Sequence, residues 1–175
     1  MRRRFASWAA ALIVVPLIAG CGGATREEDT VNDDRAILLA RPDIEEISER
    51  YEEMQERITT RLSAELGPWE WVNDRNMTRS GCADFPHVGG ESRSLDRRHF
   101  RGNLPDTQWS TAVEIVTEIT GEYGFGEPEV IVDRVDDHEI VGRDSFGARY
   151  TFGTAANTLL SVATGCHLPP EADRG

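Results

Sequence analysis

VIVDRVDDHEIVGRDSFGARYTFGTAANTLLSVATGC, residues 130–166, alternates short β-type runs with turn chemistry. Val130-Ile131-Val132 reads as a strand and Asp136-Asp137 as the turn that follows it. Ile140-Val141 belongs to a second strand, closed by the turn-favouring Asp144-Ser145-Phe146-Gly147. In the third run Ala148, Tyr150 and Phe152 share one face, opposite Arg149 and Thr151, which is the period of a half-buried strand. Residues 159–164 make the fourth and lead into Cys166. Links this short join antiparallel neighbours, so the stretch predicts a strand meander.

Upstream the period changes. Ile44, Ile47, Tyr51, Met54, Ile58 and Leu62 recur every three or four residues and predict a helix over about 42–66 with one apolar stripe. Pro42 suits a first turn, and Asp43, Glu45 and Glu46 complement the positive end of the helix dipole. Gly67-Pro68 stops it. The stripe also has the form of a coiled-coil seam, but three heptads are few, which favours packing within the domain. A second helix opens at Pro105-Asp106, carries Trp109, Ala112, Val113, Val116, Ile119 and Tyr123 on one face, and ends at Gly124. Between the helices, Trp69-Glu70-Trp71-Val72 alternates like a strand with both tryptophans on one side. A Gly/Ser-rich loop at 80–94 and a strand at 95–101 follow. The order predicts an α+β fold: a twisted, mainly antiparallel sheet with two helices packed on one face.

The N-terminal region has a different logic. Arg2, Arg3 and Arg4 precede a 16-residue stretch, 5–20, that is too short for a bilayer-spanning helix and contains Pro16. It ends Leu17-Ile18-Ala19-Gly20-Cys21, the pattern of a bacterial lipoprotein signal. Cys21 is then the lipidation residue, its thiolate taking a diacylglyceryl group before cleavage exposes it as the new N-terminus. Two acyl chains suffice for stable anchoring where one does not. Arg2-Arg3-Arg4-Phe5 also fits R-R-x-F, so twin-arginine and general export both stay open. The predicted organisation is a signal peptide at 1–20, a lipid-anchored polar tether at 21–41, and a single α+β domain at 42–175. Ile37-Leu38-Leu39 interrupts the tether and predicts a short docking helix.

Loss of Arg2, Arg3 and Arg4 with the signal moves the net charge from −12 to −15. Every basic residue other than histidine is arginine. Such an acidic chain does not suit nucleic acid, which demands clustered cations, nor adsorption to anionic headgroups. With Cys21 acylated, Cys82 and Cys166 remain. Two cysteines in an exported domain more often pair than stay as separate thiols.

No catalytic constellation emerges. His138-Glu139 starts like H-E-x-x-H, but Gly142 stands where the second ligand belongs. His87, His99, His138 and His167 have no metal-ligand spacing, and no cofactor is expected. Asp133, Asp136 and Asp137 read as a solvated turn. Arg93, Arg97, Arg98 and Arg101, with His99, are candidates for contacting an anion such as a phosphate or carboxylate. The alternative is that they neutralise neighbouring acids at a sheet edge.

The lipobox ending at Cys21, the long charged helix, the tryptophan run before Ser80-Gly81-Cys82, the helix end Glu122-Tyr123-Gly124 and the last strand running into Thr164-Gly165-Cys166 resemble the LppA-type lipoproteins of mycobacteria and related actinobacteria. The resemblance covers most of the mature chain. It implies a membrane-anchored envelope protein and supplies no catalytic residues. The expectation is a non-enzymatic interaction or ligand-binding module on the extracytoplasmic side of the cell membrane, its partner an envelope protein or an apolar ligand. The alternative is an envelope hydrolase or transferase without a recognisable motif. Trp69, Trp71 and Tyr150 are candidate exposed aromatic contacts, unless they fill the core.

Overall fold

The structure is a computed structural model that describes residues 24–170. The lipobox, Cys21 and the signal peptide lie outside the described residues. The element order is α1 (Ala24–Leu39), α2 (Ile44–Leu66), β1 (Val72–Arg75), β2 (Thr78–Gly81), β3 (Glu91–Ser94), β4 (Arg97–Arg101), α3 (Asp106–Glu122), β5 (Glu129–Arg134), β6 (Asp137–Arg143), β7 (Arg149–Thr154) and β8 (Asn157–Ala163). No helix among them is long and apolar enough to cross a membrane.

α2 forms for the reasons its sequence gives. Asp43 Oδ1 accepts hydrogen bonds of 2.9 Å from the backbone N–H groups of Glu45 and Glu46, satisfying two donors that the first turn leaves free. The stripe Ile44, Ile47, Tyr51, Met54, Ile58 and Leu62 is buried along its whole length. Each such side chain contributes about 1.5–3 kcal/mol on burial. α3 buries Ala112, Ile115, Val116 and Ile119, and packs beside α2.

The sheet is antiparallel, with strand order β1-β4-β8-β7-β6-β5; β3 pairs with the end of β8, and β2 pairs with β3. The expected meander is present as β5 to β8. Phe100, Ile140, Tyr150, Phe152, Leu160 and Val162 join Tyr51, Met54 and Ile58 in one core cluster between helices and sheet. Gly142 has a packing role that its failed H-E-x-x-H position hides. A Cβ there would lie 2.1 Å from Tyr150 Cε1, so the glycine makes room for the Tyr150 ring.

Several elements differ from the sequence reading. The strand expected at 69–72 begins only at Val72. Trp69 instead stacks on Phe100 (centroids 4.7 Å apart, planes at 5°), and Trp71 meets the same ring edge-on at 4.9 Å. Trp71 Nε1 also donates to Ser63 Oγ at 3.1 Å. This aromatic clamp on β4 outweighs the local alternation, and the tryptophans lean on the core. Tyr150 is fully buried. The 80–94 stretch holds parts of two strands; β2 is exposed throughout, so backbone pairing rather than side-chain burial makes it. The helix expected around Ile37-Leu38-Leu39 is present but longer than expected: α1 has 16 residues. Leu38 is its buried contact, while Ile37 and Leu39 face solvent.

Cys82 and Cys166 form a disulfide across 84 residues, with Cα atoms 5.7 Å apart. It ties the end of β2 to the segment after β8. Closing a loop of that length is worth about 4–5 kcal/mol in the chain-entropy account.

Candidate functional site

The register gives the sheet two ends. Arg143, Arg149 and Ala163 align at one, beside Ser94. At the other, Asp137, Thr154, Asn157 and Arg101 lie close together. The disulfide sits at the first end, where the chain from α1 enters the domain. Gly90 leaves room there for both Leu38 and Cys82: a Cβ on it would lie 3.2 Å from Leu38 Cδ1 and 3.0 Å from Cys82 Sγ. Arg41 Nη1 donates to the carbonyls of Phe146 (3.1 Å) and Cys166 (2.8 Å), and its guanidinium lies over the rings of Phe85 and Phe146. The Ile44 N–H donates to Leu168 O at 2.9 Å.

His167 completes this junction. Its Nδ1 is 2.8 Å from the Pro42 carbonyl, an acceptor, so Nδ1 carries the proton. The ring is fully buried and meets Phe146 edge-on. Burial lowers its pKa below the ordinary histidine value. It is therefore a neutral structural histidine. Neither Arg41 nor His167 stood out in the sequence, because their partners lie 105 to 125 residues away.

The structure distributes the arginine run over separate places. Arg93 is buried under α2, its Nη1 and Nη2 forking onto Glu45 at 2.7 and 2.5 Å and its Nε donating to Glu91 at 2.6 Å. Arg97 grips Asp74 through two bonds of 2.7 and 2.5 Å, and that contact holds the Asp74 carboxyl below the usual range. His99 Nδ1 faces the same carboxylate at 3.5 Å. Arg101 is exposed. Arg98 lies opposite Leu160, and its Nε is buried without a hydrogen-bond partner. Arg93 and Arg97 thus neutralise neighbouring acids, the alternative reading of the run, and they do so at two separate places.

At the far end of the sheet His138 is clasped by two carboxylates. Its Nδ1 is 2.9 Å from Asp133 Oδ1 and its Nε2 is 3.1 Å from Asp106 Oδ1. Its ring stacks on Trp109, which stacks in turn on Phe152. The Asp136 N–H and then His138 hold Asp106 below the usual carboxylate range. Both ring nitrogens of His138 thus face a carboxylate oxygen within hydrogen-bonding distance. The Asp133–Asp137 turn is thereby more than solvated: it is fastened to the start of α3. Among the described residues no group of three or more His, Cys, Asp or Glu is placed to hold a metal ion.

A further groove, of about 410 Å³, runs between α2 and α3 past Glu53, Glu56, Arg57, Arg61 and Ile119. Its guanidinium groups are paired: Arg57 with Glu122, and Arg61 with Glu65 and Glu118.

No curated protein matches the chain. Two solved structures share its fold. The lipoprotein LppA from Mycobacterium tuberculosis superposes with a TM-score of 0.70 at 16% identity, over 85% of this chain and 91% of that one. A DUF4853 family protein from Actinomyces odontolyticus gives a TM-score of 0.56 at 18% identity, over 76% and 73%. The family model described as "LppA: Lipoprotein confined to pathogenic Mycobacterium" matches residues 21–170. With a match that begins at Cys21 and runs past the disulfide, the chain belongs to the LppA lipoprotein family.

Proposed function

We propose that this chain is held at the extracytoplasmic face of the cell membrane by diacylglyceryl on Cys21, and that its domain acts there as a non-enzymatic interaction module for another envelope protein. The observation that carries the reading is the lipobox pattern Leu17-Ile18-Ala19-Gly20-Cys21, whose cysteine is the first residue of the family match. Three features of the domain support a binding role over a catalytic one. The space between helices and sheet is filled by Tyr51, Met54, Ile58, Tyr150 and Phe152, which moves recognition from an apolar interior to the surface. The polar groups best suited to proton transfer serve the fold: His138 is clasped by Asp106 and Asp133, His167 donates to Pro42, and the Tyr51 hydroxyl bonds Asp144. The groove between the helices is lined by arginines already paired with glutamates.

Replacing Cys21 by Ser tests the anchor. The variant is expected to keep its signal peptide uncleaved by the lipoprotein route and to lose diacylglyceryl. Normal cleavage with unchanged lipid modification contradicts the reading. For the interaction role, chemical crosslinking of the anchored chain in its native envelope is expected to capture one recurrent protein neighbour. Recovery of the chain with a bound small molecule by native mass spectrometry favours the ligand-binding form instead.

A further inference from the structure

We infer that the disulfide end of the sheet is the end that faces the lipid leaflet, and that Arg41 is the clasp that keeps it there. The inference rests on the proposed anchor at Cys21. It deepens that reading by naming which surface meets the membrane and which is presented to the envelope.

The argument begins with the chain path. α1 starts at Ala24, three positions after Cys21, and its 16 residues span about 24 Å. It ends at Leu39, and the link to α2 is held at the disulfide end from several independent sides. Leu38 is buried beside Gly90 and Cys82. The Pro42 carbonyl accepts from His167, and the Ile44 N–H donates to Leu168 O. Arg41 joins three separate pieces of chain. Phe85 lies in the loop after β2, Phe146 in the turn between β6 and β7, and Cys166 after β8. The disulfide covalently joins two of those three pieces. One guanidinium therefore bonds or stacks on all of them, and only when they are assembled.

A leash free at residues 40–44 would let either end of the domain swing toward the lipid. A leash pinned at Leu38, Arg41, Pro42 and Ile44 fixes where α1 leaves. The opposite end, with the turns at 135–136 and 155–156, lies a strand length away, roughly 20 Å for six or seven residues. The net charge of −15 after loss of the signal arginines works in the same direction. It repels anionic headgroups, so the domain stands off on α1 rather than lying flat. The end away from the disulfide then faces outward.

The test uses the full lipidated chain, extracted from its host and placed in nanodiscs that contain a gadolinium-chelating lipid. Amide line broadening is read by NMR. Amides of residues 83–90 and 145–147 are expected to broaden severalfold more than those of 135–136 and 155–156. Equal broadening at both ends, or the reverse order, overturns the inference. Arg41→Ala is expected to reduce the contrast measurably while β5 to β8 keep their dispersed spectrum, the contacts of Leu38, Pro42 and Ile44 retaining the remainder. Arg41→Lys, which keeps the charge but not the planar fork, is expected to fall between. An undiminished contrast in Arg41→Ala overturns the clasp. A chain that fails to sediment with lipid, its Cys21 peptide unmodified by mass, rejects the anchor itself, and the inference falls with it.

Discussion

The two ends of the sheet are held by different means. At the disulfide end, Arg41, His167, Cys82 and Cys166 connect residues that are far apart in the chain. At the other end the contacts of the β5–β6 hairpin are mostly local. Arg134 pairs with Asp137 three residues on, and His138 with Asp133 five residues back. Asn103, Asp106 and Trp109, from the start of α3 and the loop before it, reach the hairpin from further away. The hairpin also carries the most exposed apolar side chains, with Val130 at 62% and Val135 at 81% exposure. The contrast teaches that long-range covalent and polar links secure the end where α1 joins the domain. The distal end is a surface carried by a meander that already holds itself together.

Breaking the disulfide should have the largest effect and should fall on one end. Cys82→Ala with Cys166→Ala is expected to lower stability by about 4–5 kcal/mol, read by denaturant unfolding. Hydrogen exchange should then rise at 82–91 and 164–168 before it rises at 129–143. Uniform acceleration would erase the distinction between the ends.

Removing the buried guanidinium comes next. Arg93→Ala strips Glu45, Glu91 and Ser48 of their partner and is expected to cost about 2–3 kcal/mol. Gly142→Ala forces a methyl into the Tyr150 ring and is expected to cost about 1–3 kcal/mol, centred on the meander instead. Thermal melts of the two variants, with exchange mapped by residue, separate the regions.

A smaller effect is pH-dependent and comes from the disulfide end. His167 is held neutral, with its folded pKa below the ordinary value near 6.5. Arg41 opposes its protonation, while Asp144 and Asp43 favour it but do not prevail over burial. The unfolded chain binds a proton below about pH 6.5 and the folded chain does not, so stability declines as pH falls through that window and is flat above it. Acids with lowered pKa, such as Asp74, Asp106 and Glu122, lose their contribution only at lower pH. His167→Gln should flatten the slope between pH 6.5 and 5 in urea titrations. An unchanged slope would show that the histidine is not the titrating group. At the far end Val135→Lys should shift stability by no more than about 0.5 kcal/mol.

The legible part of this molecule was the local part. α2, α3 and the four-strand meander announce themselves because side-chain period and turn residues act within a few positions. The Cys82–Cys166 pair was legible by elimination once Cys21 was assigned to lipid. The strands β2 and β3 carry almost no apolar residues, so pairing rather than pattern makes them. The tryptophan run imitates a strand because alternation near Phe100 and alternation within a sheet look alike from one sequence. Arg41 and Arg93 read as ordinary charges because the carbonyls that Arg41 meets and the Glu45 carboxylate under Arg93 lie 48 to 125 residues away. Two of the acids that the arginine run meets, Glu45 and Asp74, lie 48 and 23 residues from Arg93 and Arg97, so those pairings could not be read from the chain.

The account stands most directly on the chemistry of one residue. Intact-mass and N-terminal peptide analysis of the chain purified from its own host membranes should give a mature N-terminus at Cys21 carrying a diacylglyceryl thioether. An unmodified Cys21, or a product that still carries residues 1–20, would contradict it.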